Sequence, residues 1–497
     1  MMETFTLVRD QGRILIQEAR RRRLGSLFVP IRRSYLVVFP LILLVCGILG
    51  FAVQTDFTMI FDALVLTAIA SYIAYDLLSE GAPLRVSTIF ALTLGLAYGL
   101  GTVNTWFTLP RTGETLAFFL NLDGRNLAEA EALILIAIAL MLAVGELFEK
   151  PIFGEEFSIK FSNRDIVIVT LGALFRAVTF ASGRTIAFTS QSNIQQGHAG
   201  AIAILSGDIE APCLALAFCM ALNAETRAKR WYLYLLTLLL FLLDFPNGRR
   251  AMIYGILLMV IAARLGRFRI RISFFKKITA AILLSGLLYV ATLGFYYVRV
   301  ASYSETNPSL SERVTGVIAL IKEKKNADVD QQFSSNIQGR TFILTFIGKL
   351  VGETAARRTG HGIDMMNQFE AAIPTAIYPS RDVFFTEESL ASQLFGTQYG
   401  DEPNSVISAG IIDFGILGLI LYPLFFSFLL RYFIEVVGDI MPLFACCFVI
   451  LLVLAAVLEP ETDISEYFLV IREGILTGSA VWALAKLPAI QLWRHRF

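Results

Sequence analysis

Charge is what this 497-residue chain has least of. Only 17% of its residues are Asp, Glu, Lys or Arg, whereas 56% are hydrophobic and 12% aromatic. A soluble globular chain carries about a quarter charged residues, and with mean hydropathy at +0.65 the sequence reads as a polytopic membrane protein. Histidine is nearly missing, at His198, His361 and His495, so a His-rich metal centre is not expected. The five cysteines lie in apolar runs with no His nearby in sequence, which suggests neither a disulfide framework nor a zinc site. A net charge of +1 gives no footprint for nucleic acid.

Apolar runs are what it has instead. Runs able to cross a bilayer fall at about 35–53, 57–78, 86–108, 131–147, 165–181, 199–222, 231–246, 250–263, 276–298, 405–430, 440–458 and 467–485. The sixth is the least regular, because Asp208, Glu210 and Pro212 interrupt it. The first follows the basic stretch Arg20–Arg33 with no small-residue cleavage signal after it, so it is expected to be a retained helix. With the N-terminus inside, the inside segments carry 25 Lys and Arg against 5 in the short outside loops. That asymmetry places both termini in the cytoplasm. The expected organisation is a basic cytoplasmic N-terminus (1–34), spans 1–9 (35–298), a large outer cap loop (299–404), spans 10–12 (405–485) and a cytoplasmic tail (486–497).

The cap is too patterned to be a linker. "GRTFILTFIGKLVGETA" places Phe342, Ile343, Phe346, Ile347 and Leu350 at helical spacing, as in an amphipathic helix on the membrane or packed on the bundle. In "TEESLASQLF", Thr386 is a candidate N-cap followed by two acids that suit a first helical turn.

"LLDFPNGRRAMIYGILL" sets Arg249 and Arg250 beside a Pro-Asn-Gly turn between two apolar arms. Arms of about fifteen residues reach roughly 22 Å, short of the roughly 30 Å hydrocarbon core. The pair is thus expected in a recessed cavity, where a guanidinium fork matches phosphate oxygens; the plain alternative is an interfacial anchor. Arg176 and Arg472 lie at similar depth, and so does Glu473. Adjacent Arg472 and Glu473 point about 100° apart on a helix, so each is expected to need its own partner, Asp413 being one for Arg472.

The Arg-bearing turn between short helices, the late outer loop, and "NSVISAGIIDFGILGLI" returning to the membrane after it resemble the O-antigen and oligosaccharide repeat-unit polymerases of bacterial envelopes. The resemblance covers most of 165–485 and extends to the related O-antigen ligases. It implies an all-α polytopic membrane protein of about 12 transmembrane helices, a C-type glycosyltransferase-like bundle with a large periplasmic cap loop, in the bacterial inner membrane. It implies a glycosyltransferase acting on undecaprenyl-diphosphate-linked oligosaccharides among membrane lipids, with a chain-length regulator protein as a further partner and no nucleic acid. Arg249, Arg250, Arg340, Arg472 and Arg176 would hold diphosphate; Glu353, His361 and Asp364 are the candidates to orient or deprotonate the acceptor hydroxyl. No metal and no cofactor are implied if guanidinium groups carry that charge. Glycines flank His361, which suits close approach of a ligand. The alternatives are the ligase, with a lipid A core acceptor, and a lipid-linked sugar transporter or flippase.

Overall fold

A computed structural model describes residues 34–79, 84–108, 123–152, 161–181, 201–244, 249–265, 343–354, 358–374, 377–378, 386–396 and 402–486, with isolated positions between 286 and 319. Among the described residues the chain is all-helical, with no strand. The helices are α1 (Ser34–Val53), α2 (Asp56–Ser79), α3 (Val86–Leu94, continuing through a π-helical segment Gly95–Leu100 into Gly101–Thr108), α4 (Gly124–Phe148), α5 (Asn163–Ala181), α6 (Ala201–Leu222), α7 (Arg227–Asp244) and α8 (Arg249–Leu265). After them come α9 (Leu344–Thr354), α10 (Ile363–Ala372), α11 (Glu387–Phe395), α12 (Val406–Phe414), α13 (Ile416–Ile440), α14 (Leu443–Leu458) and α15 (Ile464–Lys486).

Among the described residues, five helical stretches are long and apolar enough to cross a membrane: Asp56–Leu77, Val86–Phe107, Gly124–Phe148, Ile416–Ile440 and Ile464–Lys486. Shorter apolar helices run at Val37–Val53, Ile209–Leu222, Met252–Ala263 and Leu443–Leu458. Apolar side chains are also turned outward in stripes. Trp231, Leu235, Leu238 and Leu242 on α7, and Leu417, Leu421, Phe425 and Tyr432 on α13, are exposed at helical spacing, a face that water would not tolerate and lipid would. The expected ninth span, 276–298, lies outside the described residues except for isolated positions.

Two helices organise the bundle. Around α4 pack α1, α2, α3, α9 and α13; around α6 pack α5, α7, α8 and α14, and α14 touches members of both groups. Small residues set the closeness. A methyl at Gly47 would meet the Ala132 carbonyl and Ile136 of α4 at 2.8 Å, so α1 lies backbone to backbone on α4, as small residues allow where apolar burial does not drive association. Helix α14 has no charge and is buried along nearly its whole length. Helix α9 packs on the bundle, with Phe346, Ile347 and Leu350 fully buried and Gly348 against Leu127 of α4. The irregular sixth run is one helix through Pro212.

Two boundaries differ from expectation. The arms around the arginine pair are longer than their apolar runs, because α7 starts at Arg227 within its basic lead and spans 18 residues, about 27 Å. The run 405–430 is not one span. Gly415, at φ 62° and ψ −145°, ends α12 and starts α13. The chain there turns back so tightly that Gly410 lies against the Gly418 backbone.

Candidate functional site

The turn-back places Asp413, fully buried, at the end of α12. Its carboxylate accepts the N–H of Asp364 at 2.8 Å and of Met365 at 2.9 Å, and the Tyr422 hydroxyl donates to it in a short hydrogen bond. Backbone contacts add to this: the Gly360 N–H donates to the Ile412 carbonyl at 2.7 Å and the His361 N–H to the Asp413 carbonyl at 2.8 Å. Asp413 is thus the N-cap of α10 delivered from another helix, since no side chain of α10's own N-terminus caps it. It does not bond Arg472.

The glycines around His361 serve this joint. Gly360 sits where a methyl would approach Asp413 Oδ1 to 3.0 Å, and Gly362 holds φ 88°. His361 itself lies at φ 53°, exposed, with its Nδ1 3.4 Å from the Thr359 hydroxyl. Close approach is needed, but by the chain's own helix α12.

Around Asp413, acids from several elements converge. Asp364 is fully buried; its Oδ1 accepts from the Gln368 amide at 3.3 Å and its Oδ2 has no hydrogen-bond partner. Burial, then the neighbouring Asp413, pushes its carboxyl above the usual range. Glu387, fully buried in the first turn of α11, is held well above that range by burial, then by Asp364 and Asp463, with Ser408 opposing. Asp463, before α15, is raised by burial, against the Asn404 hydrogen bond. Ser405 caps α12, closes a capping box with Ser408, and contacts the Tyr98 hydroxyl of the π-helical segment at 2.8 Å. Carboxyls raised by burial and by one another are groups that can hold or release a proton near neutral pH.

The basic candidates part company. Arg472 Nη1 donates to the Ala372 carbonyl at the end of α10 at 2.8 Å, and its Nε donates to the adjacent Glu473 at 2.8 Å. The neighbours therefore pair with each other, rotamers overcoming their angular separation. Helix α10 thus links His361 and Asp364 at its start with Arg472 at its end. Arg176 is elsewhere, buried in an ion pair with Glu210 of α6 at 2.6 Å. Glu353 is half-buried near the end of α9. Arg249 and Arg250 form the first turn of α8, but their side chains lie outside the described residues, and Arg340 lies outside them altogether.

Sequence reading missed Glu387 and Asp463 as members of the site. The acids of "TEESL" do open a helix capped by the Thr386 hydroxyl, which accepts the Ser389 N–H at 3.3 Å, and that local role hid the burial. Among the described residues no group of three or more His, Cys, Asp or Glu is arranged to hold a metal. The long loop does contain Asp328-Val329-Asp330, an acid pair of a spacing that suits a divalent cation, outside the described residues. Comparison with known proteins finds no family model, no curated protein and no solved structure that matches the chain.

Proposed function

We propose that the chain polymerises undecaprenyl-diphosphate-linked oligosaccharide repeat units at the periplasmic face of the bacterial inner membrane, as a glycosyltransferase of twelve crossings with both termini cytoplasmic. The observation that carries the reading is that α8 opens on Arg249 and Arg250. A helix N-terminus presents free N–H groups and a partial positive charge, so two cations in its first turn are unfavourable without an anion. A diphosphate leaving group is such an anion, and guanidinium groups there stabilise the charge that develops on it. Asp364 is the proposed group that takes the acceptor hydroxyl's proton, on the strength of its raised carboxyl and unpartnered Oδ2. His361, exposed, stands just before the start of the same helix, and Arg472 fixes its other end.

The test is complementation of a deletion strain, read on a gel of envelope polysaccharide. The deletion should leave single-unit glycans without a ladder. Arg249→Lys or Arg250→Lys should restore the ladder little better than Ala, because lysine keeps the charge but not the fork. Full ladders from both Ala variants would remove the diphosphate site. Long lipid-linked polymer accumulating in the deletion strain would make the protein a ligase.

A further inference from the structure

Away from that site, two helices long and apolar enough to cross a membrane each bury an acid: Asp62 on α2 and Glu131 on α4. Asp62 is 1% exposed and Glu131 0%. The Thr102 hydroxyl of α3 donates to Glu131 Oε2 at 3.4 Å, whereas Glu131 Oε1 and Asp62 Oδ2 receive no hydrogen bond. The two carboxyls lie within electrostatic reach of one another. Asp62 is seated on bare backbone: a methyl at Gly50 of α1 would collide with its Oδ2 and come within 3.2 Å of Ala132, the residue after Glu131.

Among the described residues, the other titratable groups within electrostatic reach of the pair are Cys46 of α1 and Tyr98 of the π-helical segment; Glu129, two residues before Glu131, accepts from the Gln54 amide at 3.3 Å. None is a cation. Arg85, the N-cap residue of the helix that carries Thr102, is engaged with Glu146 and the Glu149 carbonyl. A buried carboxylate without a counter-charge is strongly disfavoured, and an ionisable group at membrane depth points to a function. Bare charge on these acids is the arrangement this apolar contact can least hold.

We propose that Asp62 and Glu131, the latter with the Thr102 hydroxyl, form a proton-binding site inside the bundle. The site shares no residue with the glycosyl-transfer reading and stands if that reading fails. It differs from Arg176–Glu210, where a guanidinium already neutralises the acid.

Dicyclohexylcarbodiimide provides the test, because it modifies carboxyls that are protonated in apolar surroundings. The full-length protein in lipid bilayers is treated and its adducts located by peptide mass spectrometry. Asp62 or Glu131 should be labelled at about pH 6, with labelling several-fold lower by about pH 9, as a proton in equilibrium with solvent requires. Glu146, paired with Arg85, should stay unlabelled and serves as the internal control. No adduct on either acid at any pH would overturn the proposal. Protection by sodium but not by choline at fixed pH would also overturn it, assigning the two carboxylates and the hydroxyl to a small monovalent cation instead.

Discussion

Among the described residues, two carboxylates cap helices that they do not belong to. Asp413 does so for α10, and Glu149 does so for α3, accepting the N–H of Val86 at 2.7 Å and of Ser87 at 3.2 Å. Each satisfies donors that would otherwise be buried without partners, and each fixes the angle at which one helix meets another. Asp413→Ala would strip three donors at once, one of them the Tyr422 hydroxyl. Since each buried donor left unmade costs about 1–3 kcal/mol, Asp413→Ala should destabilise by roughly 3 kcal/mol or more. Tyr422→Phe, which removes only one partner, should cost about 1 kcal/mol. Thermal unfolding of the two variants in detergent checks the ranking, and equal losses would mean that Asp413 does not cap α10.

The α12–α13 turn-back is the element on which the candidate site hangs. It depends on Gly415, whose φ and ψ lie where a side chain is strained by about 1–3 kcal/mol. It depends equally on Gly410 and Gly418, which let the two helices meet with no side chain between them. Gly410→Val should therefore do more harm than Gly415→Ala: the first forces the helices apart, the second only strains one residue. The expected result is loss of a monodisperse peak in size exclusion for Gly410→Val, with Gly415→Ala folded but lower-melting. A normal elution and melting temperature for Gly410→Val would refute the close approach.

At the scale of the whole molecule, the raised carboxyls of Asp364, Glu387 and Asp463 tie stability to pH. Each holds its proton more tightly in the folded protein than in the unfolded chain, where carboxyls titrate near about 4. Between that value and the raised ones the folded state binds more protons, so stability is highest at the acid end and falls as pH rises. This is the reverse of the behaviour of a carboxylate held by a cation. Melting temperature in detergent should decline from about pH 5 to about pH 8, and Asp364→Asn with Glu387→Gln should flatten the decline. A melting temperature that rises over that interval would show these acids ionised and paired.

Much of the architecture was legible in the chain. Scarce charge and long apolar runs dictate a helical membrane protein, because a backbone away from water must bond within its own segment. The helix at 344–354 and the Thr386 cap were readable too, since helical spacing and capping are local. The site was less so. Arg472 and Glu473 pair by rotamer choice, which no angle along a helix predicts. Gly360 and Gly362 announced a close approach but not that α12 was the partner. Asp413, Asp364, Glu387 and Asp463 stand up to 99 residues apart in sequence, and only the reversal at Gly415 and the docking of α10 bring them together. Whether a buried acid is paired, used as a cap or left to hold a proton depends on what faces it across a helix contact, and that is settled by tertiary packing alone.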